Sequence, residues 1–460
     1  MIDIGSTFTK ACAIDLEAEE LLASAMSPST VQADICNGID EVISALDKAI
    51  DKKVDFRLRL ASSSAAGGLR MIVVGLVPEL TSEAGRLSAL GAGAKVISTY
   101  SYRVNEKERE KIEEQDPDII LLVGGTDGGE EETILWNART LSQLKSDSPI
   151  IVAGNKVVVH EAKDILTSHG KNVHVTENVL PEIGRLNIEP AREMIRHVFI
   201  DRIVKSKGFE GAGKYVDEIL MPTPTAVFEA VKLLADGTGT LRGLGELVAL
   251  DIGGATTDVY SIARGLPSGE GTILKGLRPP CSMRTVEGDL GIRYNAASLV
   301  EEAGEENVLE NIGIKDIDLN AIVKNLSKKI TKTPENERER TIDVGLARSA
   351  AQLAVKRHAG HIEIAYTPMG SMNVQYGKDL RGIKHLIATG GIIAHSSDKG
   401  RVKILEGALY NKNEQFSLRP ESPLFYGDNR YITFAAGLLS KYYPEQALRI
   451  LIKYLARIDR

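Results

Sequence analysis

The chain has 460 residues, 43% of them hydrophobic and 26% charged, with a net charge of −7 and a pI near 5.8. That length holds two to four domains with ample core, and the acidic balance argues against a nucleic-acid surface. Cys12, Cys36 and Cys281 form no CxxC and no metal spacing, which points to a reducing cytoplasm. No apolar run is long enough for a bilayer, and no basic-then-apolar leader opens the chain, so neither membrane nor export is expected.

The chain opens with Met1-Ile2-Asp3-Ile4-Gly5-Ser6-Thr7-Phe8-Thr9-Lys10-Ala11. Residues 2–22 predict a hairpin followed by a third strand. Only two residues precede Asp3, so either the start has been assigned late or the first strand is clipped. A helix is expected over 34–50, a strand over 55–61 and a turn over 62–68. From residue 70 to 178, five apolar strands alternate with four helices. That alternation predicts a parallel, doubly wound unit inserted in the surrounding domain.

Within that insertion, Gly124-Gly125-Thr126-Asp127-Gly128-Gly129 follows the buried strand 118–123. The carboxyl end of a central strand is where such sheets bind ligands. The stretch lacks both the P-loop ending and the GxGxxG spacing, so a structural turn is the better reading. Helices follow over 189–207 and 225–235. Residues 247–262, LVALDIGGATTDVYSI, then predict a strand, a tight glycine turn and a returning strand. Gly253 and Gly254 let a ligand approach the backbone, and the threonines add donors. Asp251 is wrong for a bare phosphate but suits a hydrated Mg²⁺ riding on one. An ordinary hairpin remains the alternative.

Further on, residues 284–293 read RTVEGDLGIR. Glu287 and Asp289 there either face a nucleotide-bound metal or open a helix, where the dipole favours acids. A charged helical stretch is expected over 301–339 and a clean helix over 343–358. His358 and His361 are spaced for a metal but lack a third ligand. A strand and glycine turn, Ile387-Ala388-Thr389-Gly390-Gly391-Ile392, come next. Small residues over 431–437 and an amphipathic helix over 442–455 close the chain.

Asp-Ile-Gly followed by small or hydroxylated residues thus occurs twice, at Asp3 and at Asp251, with a strand-Gly-Gly turn downstream. In order, these resemble the ATPase superfamily of actin, 70-kDa heat-shock chaperones and sugar kinases. The resemblance implies an α/β fold of two ribonuclease H-like duplicated lobes. Residues 1–69 and 179–246 would form the first lobe, 247–434 the second, and 435–460 helices crossing back to the first. It also implies that residues 431–437 cross between lobes and that the third turn, Gly390 and Gly391, lies at the adenosine. The wording DIGSTFTKA, LLVGGTDGG, DIGGATTDV, RTVEGDLGIR and ATGGII is similar, over essentially the whole chain, to the MutL/GlmL proteins encoded beside adenosylcobalamin-dependent glutamate mutase. That family is unrelated to the mismatch-repair protein sharing its name.

What the resemblance implies is an ATP-using factor that reactivates or assembles such a mutase, with mutase subunits as partners. MgATP would take Gly5, Ser6 and Thr7 from the first turn and Gly253, Gly254, Ala255 and Thr256 from the second. Asp3 and Asp251 would position waters of Mg²⁺, while Asp258 or Glu287 would orient the attacking water. The insertion has no Asp-x-His-x-x-Gly stretch, so cobalamin binding there is not expected. A small-molecule kinase and an actin-like scaffold are the alternatives. The kinase would need an aspartate base beside a substrate pocket, for which no second signature is present.

Overall fold

The computed structural model describes residues 1–5, 7–30, 35–50, 54–64, 69–205, 214–269, 271–368 and 370–460 of a mixed α/β protein. The chain divides into two compact units, one of 1–65, 211–275 and 279–460, the other of 66–210 and 276–278.

The first unit contains two sheets built to one plan. In one, strands Ile2–Ile4, Phe8–Asp15 and Glu20–Pro28 run antiparallel, and Leu60–Ser63 and Glu218–Pro222 add in parallel beyond Ile2–Ile4. In the other, Leu247–Ile252, Thr257–Ile262 and Ser282–Glu287 run antiparallel, with His385–Thr389 and Leu424–Asp428 added in parallel. The strand order is the same in both. Covering both faces of a sheet demands a continuous apolar run rather than alternation. Leu247–Ile252 meets that demand: Val248 and Leu250 enter one core while Leu247 and Ala249 enter another.

That second core is shared. It joins Cys12, Leu60 and Leu220 of the first sheet to Tyr260 and Ile387 of the second, through helices Thr223–Asp236 and Thr433–Leu439. The two helices touch backbone to backbone, because a Cβ on Gly437 would lie 1.7 Å from the Ala226 carbonyl oxygen. No rotamer relieves such a clash, so the helices would have to separate. Gly437→Val is expected to cost about 3 kcal/mol or more, read as a lowered urea midpoint. The chain does not end in a helix as the sequence suggests. Leu455–Ile458 adds a sixth, antiparallel strand to the second sheet, beside Leu424–Asp428. A small third sheet joins Thr272–Lys275, Gly370–Tyr376 and His361–Thr367.

The other unit is a five-stranded, all-parallel sheet. Its order is Ala94–Ser101, Leu69–Gly75, Ile119–Leu122, Ile150–Val152, Val173–Val175, with a separate apolar core on each face. The sequence boundary at residue 178 falls short. Helix Glu189–Lys205, expected in the first lobe, contributes Ala191, Ile195, Val198 and Phe199 to the core formed by Val73, Leu121 and Ile151. The Gly124–Gly129 turn is closed by side chains from the loops that follow the neighbouring strands. Asn155 accepts from the Gly128 amide, and Asn178 donates to the Gly125 carbonyl and to Asp127. Among the described residues, no helix is long and apolar enough to cross a membrane.

Candidate functional site

The two acid-glycine hairpins superpose in their bonding. Gly5 donates to the Phe8 carbonyl at 3.1 Å, and Gly253 to the Thr256 carbonyl at 2.9 Å. Asp3 pairs with Lys10 across the first hairpin, and Asp251 with Asp258 across the second. The equivalent positions therefore carry acid and base in one copy, acid and acid in the other. The turns face each other, since a Cβ on Gly254 would lie 3.4 Å from Thr7 Oγ1. Between them opens a cavity of about 830 Å³ lined by Asp3, Gly5, Thr7, Gly253, Gly254, Ala255, Thr256, Asp251, Asp258, Gly390 and Gly391. Ser6 lies outside the described residues.

The two aspartates that begin the turns differ in environment. Asp3 is 2% exposed and its carboxylate is occupied. Oδ1 accepts from Thr223 Oγ1 at 2.6 Å and Oδ2 from the Tyr431 hydroxyl at 3.3 Å. Burial pushes its pKa above the ordinary value, opposed by Lys10 and those hydrogen bonds. Asp251 accepts no hydrogen bond from a described residue and opens onto the cavity. Burial, then the neighbouring Asp258, push its pKa from 3.8 to about 7. Of the two, Asp251 is the carboxylate left open to the cavity.

Asp258 is 5% exposed and held from behind. Arg284, on strand Ser282–Glu287, donates Nε and Nη2 to its Oδ1 at 2.9 and 2.6 Å. Burying a carboxylate without such a partner would be costly. Its Oδ2 accepts from the Thr256 hydroxyl at 3.2 Å, which orients the second turn. Glu287 is not among the residues lining the cavity. It ends a strand rather than opening a helix, and Arg357 ties it to Asp289 and Glu302 in an ion-pair network. The two histidines do not chelate. His358 is buried between Thr285 and Ser261, whereas His361 stacks on Tyr376.

The third turn abuts the second. Thr389 pairs with Asp251, and a Cβ on Gly390 (φ +108°) would lie 2.5 Å from the Ile252 carbonyl and 3.0 Å from Asp251 Oδ1. Only glycine fits that φ and that approach. Beyond it, helix Gly391–His395 and the start of helix Glu337–His358 line the far end of the cavity with Ile392, His395, Arg340 and Thr341. Arg293 clamps this wall to the second turn: its guanidinium holds Asp343 bidentately at 3.0 and 2.6 Å, and its amide donates to Gly254.

Four cavity or second-layer residues escape the motif reading: Lys10, Arg284, His395 and Tyr431. Lys10 stood inside the first motif, and aligning the two hairpins would have matched it with Asp258. Arg284 opens the RTVEGDLGIR stretch and Tyr431 the small-residue stretch 431–437, but neither reads there as a site residue, and nothing in the local sequence marks His395.

Solved structures are similar only at a distance. A xylulose kinase from Bifidobacterium adolescentis shares 12% identity at a TM-score of 0.28, over 99% of this chain and 93% of that one. A reductive activator for corrinoid, iron-sulfur protein shares 12% at 0.24, over 98% and 62%. Scores this low say nothing about the cavity. Sequence relatives are decisive. Protein MutL of Clostridium tetanomorphum is 45% identical over 459 residues, 100% of this chain and 99% of that protein. Residues 1–455 match the family described as MutL protein, and the chain belongs to that family.

Proposed function

We propose that the chain is an MgATP-binding, ATP-hydrolysing factor that reactivates or assembles an adenosylcobalamin-dependent mutase. The observation that carries the nucleotide half is the pair of equivalent acid-glycine hairpins facing one another across a single cavity. The repeated strand order supports a two-lobed, actin-like architecture with duplicated ribonuclease H-like lobes. The mutase half rests on membership of the MutL family and on that family's resemblance to proteins encoded beside glutamate mutase.

The residues present fit the ligand. A cavity of about 830 Å³ is within the range of nucleotide-sized sites, and the turn amides with Thr7 and Thr256 supply donors for phosphate oxygens. Among the described residues no three carboxylate, His or Cys side chains converge on one point. An ion at Asp251 would therefore keep waters and share phosphate oxygens, as Mg²⁺ does. Mg²⁺ would supply charge neutralisation for phosphoryl transfer. Lys10 would add positive charge, and Asp258, fixed by Arg284, would orient an attacking water. Glu287 has no such role in this reading.

Calorimetric titration with MgATP and an assay of released phosphate test this. Binding with slow phosphate release, dependent on Mg²⁺, is expected. Phosphorylated sugars or polyols in place of free phosphate would overturn the hydrolase reading, and ATP-dependent sedimentation would favour a filament. Enhanced recovery of inactivated mutase in the presence of the protein and ATP tests the client half.

A further inference from the structure

Tyr431 is one of five described non-glycine residues with positive φ, at +52°, and among those five it alone lines the cavity. A side chain in that region is strained, and such residues persist only where their surroundings enforce them. Here Asp428 does so. Its Oδ1 accepts from the amides of Arg430 and Ile432, and its Oδ2 from the amide and hydroxyl of Thr433 and the hydroxyl of Thr389. Phe434 supports the ring from behind, with centroids 5.4 Å apart.

What the strained conformation achieves is visible at the ring face. The Lys10 ammonium lies 3.2 Å from the Tyr431 centroid. Asp3, Asp251 and Asp428 all act on that ammonium electrostatically, yet no salt bridge joins it to a carboxylate among the described residues. The ring is an uncharged resting place that keeps the cation out of a contact ion pair with Asp251. The Tyr431 hydroxyl meanwhile donates to Asp3, fixing the carboxylate paired with Lys10 across the first hairpin.

We infer that Tyr431 is a positioning residue that parks Lys10 for an incoming polyphosphate and leaves Asp251 free for the metal. The inference rests on the nucleotide reading of the cavity. A cation held by a π face leaves without breaking a hydrogen bond, so Lys10 reaches the phosphates at less cost than from an ion pair with Asp251. Without the ring, Lys10 falls onto Asp251 and competes with Mg²⁺.

The test is calorimetric titration of the full chain and its Tyr431 variants with MgATP, repeated over a range of Mg²⁺ concentrations. Tyr431→Phe keeps the ring and is expected to bind within about twofold of the unaltered protein. Tyr431→Leu is expected to bind about 5- to 30-fold more weakly, because Lys10 must then break an ion pair with Asp251 instead of leaving a ring face. Raising Mg²⁺ should restore part of that loss, and hydrolysis should show a raised KM with kcat little changed. Tyr431→Gly relieves the left-handed strain while removing the ring, so the same loss there excludes a folding defect. Leu and Gly variants that bind as the unaltered chain does, or a Phe variant as weak as Leu, overturn this inference alone. An unaltered chain that binds no MgATP overturns the nucleotide reading, and this inference with it.

Discussion

Asp251→Asn is expected to abolish Mg²⁺-dependent ATP hydrolysis and at the same time to raise the melting temperature of the ligand-free protein above pH 7. The two effects share a cause. Asp251 sits in a poorly solvated cavity beside Asp258, and its pKa is raised from 3.8 to about 7. A carboxyl with a raised folded pKa binds its proton more tightly folded than unfolded. The stabilisation this gives is complete below pH 4 and is lost as pH rises through 7. At pH 8 the folded protein carries a buried charge it would lose with asparagine. The full shift corresponds to about 4 kcal/mol, and since Asp251 opens onto the cavity we expect about 1–3 kcal/mol, or a few degrees. Mg²⁺ affinity has the matching sign, weakening as pH falls below 7 because the ion must displace the proton. Scanning fluorimetry at pH 5 and pH 8 with phosphate release on the same samples checks both effects. A variant that hydrolyses ATP normally removes Asp251 from the mechanism. One that is no more stable than wild type at pH 8 refutes the charge argument.

The site was legible where chemistry and backbone demand the same residue. Gly5, Gly253 and Gly390 stand where a Cβ would meet a carbonyl oxygen at 2.5 Å, 3.1 Å and 2.5 Å respectively, so the turns had to be written in the sequence. The long apolar runs of the central strands were equally readable. Glu287 misled because an acid between a strand and a glycine looks the same whether it faces a ligand or Arg357. That difference is set by helix Glu337–His358, far along the chain. Tyr431 was silent for a related reason. Its role depends on a left-handed backbone imposed by Asp428 and on Lys10, more than four hundred residues away in sequence. The insertion boundary was misjudged because helix Glu189–Lys205 has no local mark telling which sheet it covers. Its partners, Val73, Leu121 and Ile151, precede it by many residues.

Removing residues 66–210 is expected to abolish client binding and leave nucleotide binding intact, and the affinity of the whole protein for its client is expected to follow the bound nucleotide. That nucleotide binding survives follows from the cores. Neither of the two apolar cores in the other unit draws a member from 66–210, so excision strips no side chain from them. The gap runs from the end of Leu60–Ser63 to the start of its parallel neighbour Glu218–Pro222. That is roughly 13 Å at about 3.3 Å per residue, a span that a linker of about eight Gly/Ser residues covers. A truncated chain that unfolds would make the insertion a stabiliser of its host. The second part follows from linkage. Nucleotide moves a client equilibrium only through differential affinity, and a ligand with equal affinity for both states shifts nothing. A useful switch needs a coupling of about 1.4 kcal/mol or more, a tenfold change in client Kd between MgATP and MgADP. Reciprocity then fixes a second observable, because saturating client must change the ATP-to-ADP preference of the protein by the same factor. Surface-immobilised mutase subunits titrated with the protein in MgATP, in MgADP and without nucleotide measure the first factor, and nucleotide titration of the complex measures the second. Equal client affinity in all three states would leave an ATPase with a docking domain and no means of coupling one to the other.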